Sequence, residues 1–99
     1  MSELIEKIKA RFDHEAAKKV LKEKYQAKML FAHSGGMWKA GPDLQSTLLS
    51  CPDAVAVILD VYENPVKVNT TELFAMSQQR WQEQMTAWLV EWESLQRQR

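Results

Sequence analysis

The stretch Ala54-Val-Ala-Val-Ile-Leu-Asp-Val-Tyr-Glu-Asn-Pro-Val-Lys-Val-Asn-Thr-Thr-Glu-Leu73 narrows most what this chain can fold into. Residues 54–61 form an almost wholly apolar run rich in aliphatic side chains, which reads as a strand. Because the run lacks polar alternation, it is expected to be a central strand covered on both faces. Glu63-Asn64-Pro65 supplies a tight turn, and the alternating Val66-Lys67-Val68 reads as the partner strand. Asn69-Thr70-Thr71-Glu72 is rich in capping side chains, so the next helix is placed from about residue 70 to about Gln96. Strand, turn, strand and capped helix in immediate succession require an α+β architecture.

The remaining segments extend that frame. Leu4, Ile5, Ile8, Phe12, Ala16 and Val20 recur at three- and four-residue spacing and predict a helix over residues 3–26. Ser2 suits its N-cap, and Glu3 and Glu6 suit the positive end of the helix. Residues 28–33 read as a strand, Ser34-Gly35-Gly36 as a turn able to take positive φ, and residues 37–40 as a strand pairing back. Gly41-Pro42-Asp43 opens a short helix to about Ser50, with either Asp43 as its cap or Pro42 in its first turn. The expected order is α-β-β-α-β-β-α, with a small antiparallel sheet between long first and last helices. Ninety-nine residues suit a single domain with one core.

Composition sets the setting. The one cysteine, Cys51, has no internal partner, which points to a reducing compartment. Met-Ser-Glu-Leu-Ile-Glu-Lys has no apolar signal core, and no run approaches the roughly 20 apolar residues of a membrane span. A cytoplasmic location is expected. Net charge is zero, but residues 1–40 carry nine Lys/Arg against five Asp/Glu, whereas residues 41–99 carry four against eight. The two halves therefore attract one another, within a chain or across a dimer.

Catalytic and metal-binding groups are sparse. His14 and His33 lie far apart, and there is no G-x-S-x-G elbow, CxxC, HExxH or phosphate-cradling glycine pattern. One cysteine and two histidines do not make an ordinary closed zinc site. Asp60, at the end of an apolar strand, reads as a turn residue bonding to backbone amides, a role open to Asn64 as well. No enzyme activity, metal or cofactor is expected.

Two helical faces carry the candidate binding residues. Trp81, Met85, Trp88, Trp92 and Leu95 are spaced four, three, four, three, and Gln78 and Phe74 extend the row backward. This seam packs on the chain's own sheet or first helix, or supplies a homodimer interface of Phe74, Trp81, Met85, Trp88, Trp92 and Leu95; the two uses are compatible. Lys7, Arg11, His14, Lys18 and Lys22 fall within roughly 80° of arc on the first helix at about 100° per residue. That stripe is either a solvated face or a track for phosphates or an acidic partner. The helix–strand–helix–hairpin order imitates a winged helix, in which Gln45, Ser46 and Thr47 would read bases. Against this, one short helix stands where a helix-turn-helix needs two, and Asp43-Leu-Gln-Ser-Thr-Leu-Leu-Ser50 holds no Lys or Arg.

Three segments carry a resemblance: Ala27-Lys-Met-Leu-Phe-Ala-His-Ser-Gly-Gly-Met-Trp-Lys39, Leu59-Asp-Val-Tyr-Glu-Asn-Pro-Val-Lys-Val-Asn69 and Arg80-Trp-Gln-Glu-Gln-Met-Thr-Ala-Trp-Leu-Val-Glu-Trp92. Together they resemble small uncharacterised proteins of marine tailed phages that infect cyanobacteria. The resemblance implies a viral protein working in the host cytoplasm, either nucleic-acid-associated or part of virion assembly, and assigns no residue a role. The functional expectation is a non-enzymatic, homodimeric nucleic-acid-binding or regulatory module using Lys7, Arg11, Lys18, Lys22 and residues 45–47. The alternative is a protein–protein adaptor or phage assembly component using the tryptophan helix.

Overall fold

A computed structural model describes residues 2–97. Helix α1 (Ser2–Lys28), strands β1 (Leu30–His33) and β2 (Gly36–Lys39), helix α2 (Pro42–Leu49), strands β3 (Val55–Leu59) and β4 (Pro65–Asn69), and helix α3 (Thr70–Arg97) follow in the expected order, an α+β fold. Ser2 is already helical, and α1 also takes in Ala27 and Lys28 before the chain turns at Met29.

The local signals work as their chemistry dictates. His33 pairs with Gly36, so Ser34 and Gly35 form a two-residue loop. Both have positive φ, 53° and 81°, as a type I′ hairpin turn requires. Gly36 belongs to β2 and is glycine for a different reason: a Cβ there would lie 2.9 Å from the Trp38 ring and 3.1 Å from Val66. At α2 the proline alternative holds. Pro42 occupies the first turn, Gly41 is the N-cap at φ 148°, and no side chain caps the helix. At α3, Asn69 Oδ1 accepts a hydrogen bond from the Glu72 N–H at 3.0 Å, an N-cap contact. The Thr70 hydroxyl donates to the Asp53 and Ala54 carbonyls, tying the helix start to the entry of β3.

The sheet departs from expectation. There are two separate two-stranded antiparallel ribbons, β1–β2 and β3–β4. They meet through side-chain and loop contacts: Asp60 Oδ2 accepts from the Met37 N–H at 3.2 Å, and the Val61 N–H donates to the Met37 carbonyl at 2.9 Å. Residues 54–61 accordingly do not form a central strand buried on both faces. Ala56 and Ile58 face inward, while Val57 and Leu59 are more than 60% exposed. A ribbon at the margin of the core has only one face to bury, and the aliphatic composition of the other face does not supply it with a neighbour.

The core is Met29, Phe31, Trp38, Ala40, Leu48, Val68 and Leu73, with Leu44, Ile58, Val66, Phe74, Trp81 and Met85 packed around it. Trp38 is 1% exposed, and its indole N–H donates to the His33 carbonyl at 2.8 Å. The first half of α3 therefore covers the ribbons and α2. Its second half leaves that core and pairs with α1, giving a molecule of 64 × 23 × 20 Å.

Candidate functional site

The two helical faces singled out in the sequence meet one another. The Trp88 ring stacks on Tyr25 with centroids 5.9 Å apart, and Lys18 Nζ lies 5.4 Å from the Trp92 centroid. Lys24 Nζ bonds Glu91 Oε1 at 2.7 Å, joining the basic and acidic halves of the chain. That bond raises the Lys24 pKa and lowers the Glu91 pKa from their ordinary values. Burial, followed by the Glu91 contact, pushes the Tyr25 hydroxyl up.

Each candidate residue has a definite place. Phe74, Trp81 and Met85 pack around the core. Trp88 and Trp92 face α1, and Leu95 adjoins Ala17 and Leu21. The seam is thus half-buried within the chain's own fold, the first of its two expected uses. Lys7, Arg11, Lys18 and Lys22 are exposed along one edge of α1, and His14 is half-buried. Gln45, Ser46 and Thr47 lie on α2, against the first half of α3, whereas the basic edge lies along the second half. The Thr47 hydroxyl donates to the Asp43 carbonyl, a local helix contact. Among the described residues no three His, Cys, Asp or Glu side chains converge as a metal site.

Between the helices runs an open groove of about 650 Å³, with Met85, Trp88, Leu89 and Trp92 as its floor and Glu15, Lys18, Lys19 and Lys22 as its rim. At the rim Lys18 lies over the Trp92 face, a contact that contributes about 0.5–1 kcal/mol at an exposed site. Sequence reasoning missed Glu15 and Lys19 as groove residues. Glu15 and Lys19 lie just outside the basic arc, and only the position of α3 brings them to the groove.

The larger surprise is on the other side of α1. Leu4, Ile8, Phe12 and Val20 are 60–73% exposed, and Ile5 is 64% exposed. Their three- and four-residue spacing is that of a face that packs. The face that meets α3 is instead the one holding His14, Ala17, Leu21 and Tyr25. The helices run antiparallel, with Tyr25 beside Trp88 and Ala17 beside Leu95, so roughly three to four turns of α1 project past the described end of α3. No helix of the described residues is long and apolar enough to cross a membrane. No protein-family model matches the chain, and neither a curated protein nor a solved structure matches it.

Proposed function

We propose that this protein is a non-enzymatic association module acting by protein–protein contact through the outward face of α1. The carrying observation is the row Leu4, Ile8, Phe12 and Val20, 60–73% exposed along a helix that projects from the core. Contiguous exposed apolar surface of this kind marks an interaction site, because leaving it in water costs free energy that a partner recovers. The test is the double variant Ile8→Glu with Phe12→Glu, measured by circular dichroism on dilute protein. Far-ultraviolet helix signal and near-ultraviolet tryptophan signal are expected to be kept, with stability within about 0.5 kcal/mol, as for surface positions that do no packing. Loss of the fold would mean that the row packs within the chain, and the proposal would fall.

A second reading is favoured by the exposed edge of Lys7, Arg11, Lys18 and Lys22, which suits an anionic partner such as nucleic acid. Four phosphate contacts on a duplex would give log K a slope against log salt of about −0.9 per contact. Lys18→Glu with Lys22→Glu would then halve the slope and leave the fold intact. Titration with DNA and RNA at low salt decides it, and absence of binding to both removes this reading alone. Either role suits an assembly or accessory protein of the kind that the phage resemblance implies.

A further inference from the structure

We infer that the partner of the α1 face is a second copy of this chain, its α1 lying antiparallel across the first with Phe12 at the two-fold axis. This rests on the protein–protein reading above. The support is a symmetry in the residues of α1 that the fold leaves outside. The apolar row is Leu4, Ile8, Phe12, Ala16 and Val20, every fourth residue, and so one ridge of the helix surface. Reversed about Phe12, Ile8 comes level with Ala16 and Phe12 with its own copy, all within about 40° of the Phe12 direction at about 100° per residue, while Leu4 and Val20 lie about 80° to either side. The middle of the ridge is self-complementary in position: Ile8 faces the smaller Ala16, and Phe12 sits on the axis.

The charges carry the inference further. Along α1 they fall in alternating blocks: Glu3 and Glu6; Lys7, Lys9 and Arg11; Asp13 and Glu15; Lys18, Lys19 and Lys22. All of these side chains are exposed in the protomer. Reversal about residue 12 brings Lys9 of one copy beside Asp13 of the other on one flank of the ridge, and Arg11 beside Glu15 on the opposite flank. A parallel, in-register pairing does the opposite, bringing every block level with its own sign. Like charges at contact disfavour that arrangement, so the pattern selects orientation as well as partner.

An isologous two-fold contact also explains the overhang. The turns of α1 that project beyond α3 would lie along residues 16–20 of the second copy, where that copy's own α3 already supports the helix from behind. The middle of the ridge thereby gains a cover without any change in the protomer.

The test combines mass and register. Sedimentation equilibrium of the unmodified chain should show a reversible dimer, and Phe12→Glu should weaken it about 30-fold or more, as loss of a central anchor does. Lys9→Glu should also weaken the dimer, and adding Asp13→Lys should restore it. In a Cys51→Ser background, Phe12→Cys should form a disulfide with its own copy under mild oxidation. Ala16→Cys alone should not cross-link, whereas a mixture of Ile8→Cys and Ala16→Cys chains should. Self-cross-linking of Ala16→Cys would mean a parallel pairing and overturn the inference. So would a dimer indifferent to Phe12→Glu, which would place the interface elsewhere, for example on the outer face of β3. A chain that stays monomeric up to submillimolar concentration overturns the second copy as occupant. It leaves the α1 interface standing if the Ile8→Glu, Phe12→Glu protein still folds, so the two failures are distinct.

Discussion

Asp60 accepts backbone hydrogen bonds from Met37, Tyr62 and Asn64 at 3.2, 2.9 and 3.0 Å, and so clamps its own loop to the neighbouring ribbon. The Asn64 N–H first, then those of Met37 and Tyr62, hold its carboxyl below the ordinary aspartate range despite the opposing effect of burial. A carboxyl with a lower pKa folded than unfolded stabilises the fold fully above the unfolded value, about 3.9, and loses that contribution as pH falls through the folded value. Asp60→Asn should therefore lower the urea midpoint at pH 7 and flatten its fall on acidification; equal midpoints at pH 7 would count against the clamp. Ser34 bears the opposite kind of strain, a left-handed backbone at φ 53° without a glycine. Ser34→Asn, which makes the favoured Asn-Gly pair, should stabilise by on the order of 0.5 kcal/mol in urea titration. Ser77 is fully buried and its hydroxyl has no hydrogen-bond partner within the described chain, so Ser77→Ala should be neutral or stabilising by up to about 1 kcal/mol.

At the scale of elements, β3 separates composition from environment. Val57 points to solvent and Ile58 into the core, although the sequence treats them alike. Val57→Asp should shift stability by less than about 1 kcal/mol, whereas Ile58→Asp places an unpaired charge against the core and should cost more than about 3 kcal/mol by denaturant titration. Elements whose signals are local were legible in advance: the Asn69 cap, the Ser34-Gly35 loop, Pro42 in the first turn of α2, and the period of the tryptophan seam. What the sequence could not disclose was which surface each periodic face meets. Residues 54–61 carry no mark distinguishing a strand between two neighbours from one with a bare side. The apolar face of α1 and its basic flank both had the spacing of a packing surface. Only the docking of Tyr25 on Trp88 decides that α3 lies on the flank and leaves the row of Leu4, Ile8 and Phe12 outside.

For the whole molecule, the stability of α1 is graded along its length. Residues 14–28 are held by α3 and the turn into β1, while the first two turns pack against no other element among the described residues. Amide exchange on a dilute, monomeric sample should be fast across residues 3–12 and slow near Tyr25, and uniform protection would contradict that gradient. The same attachment has a kinetic consequence. Both hairpins close over short stretches of chain, but seating Tyr25 on Trp88 closes a loop spanning nearly the whole fold between them. Such a closure costs the most chain entropy and waits until the rest can hold its ends together. In stopped-flow measurements, Trp88→Ala should quicken unfolding while scarcely slowing refolding, and substitutions at Leu73 or Val68 should slow refolding. The long helix at the front of the sequence would then be the last part of the protein to settle into place.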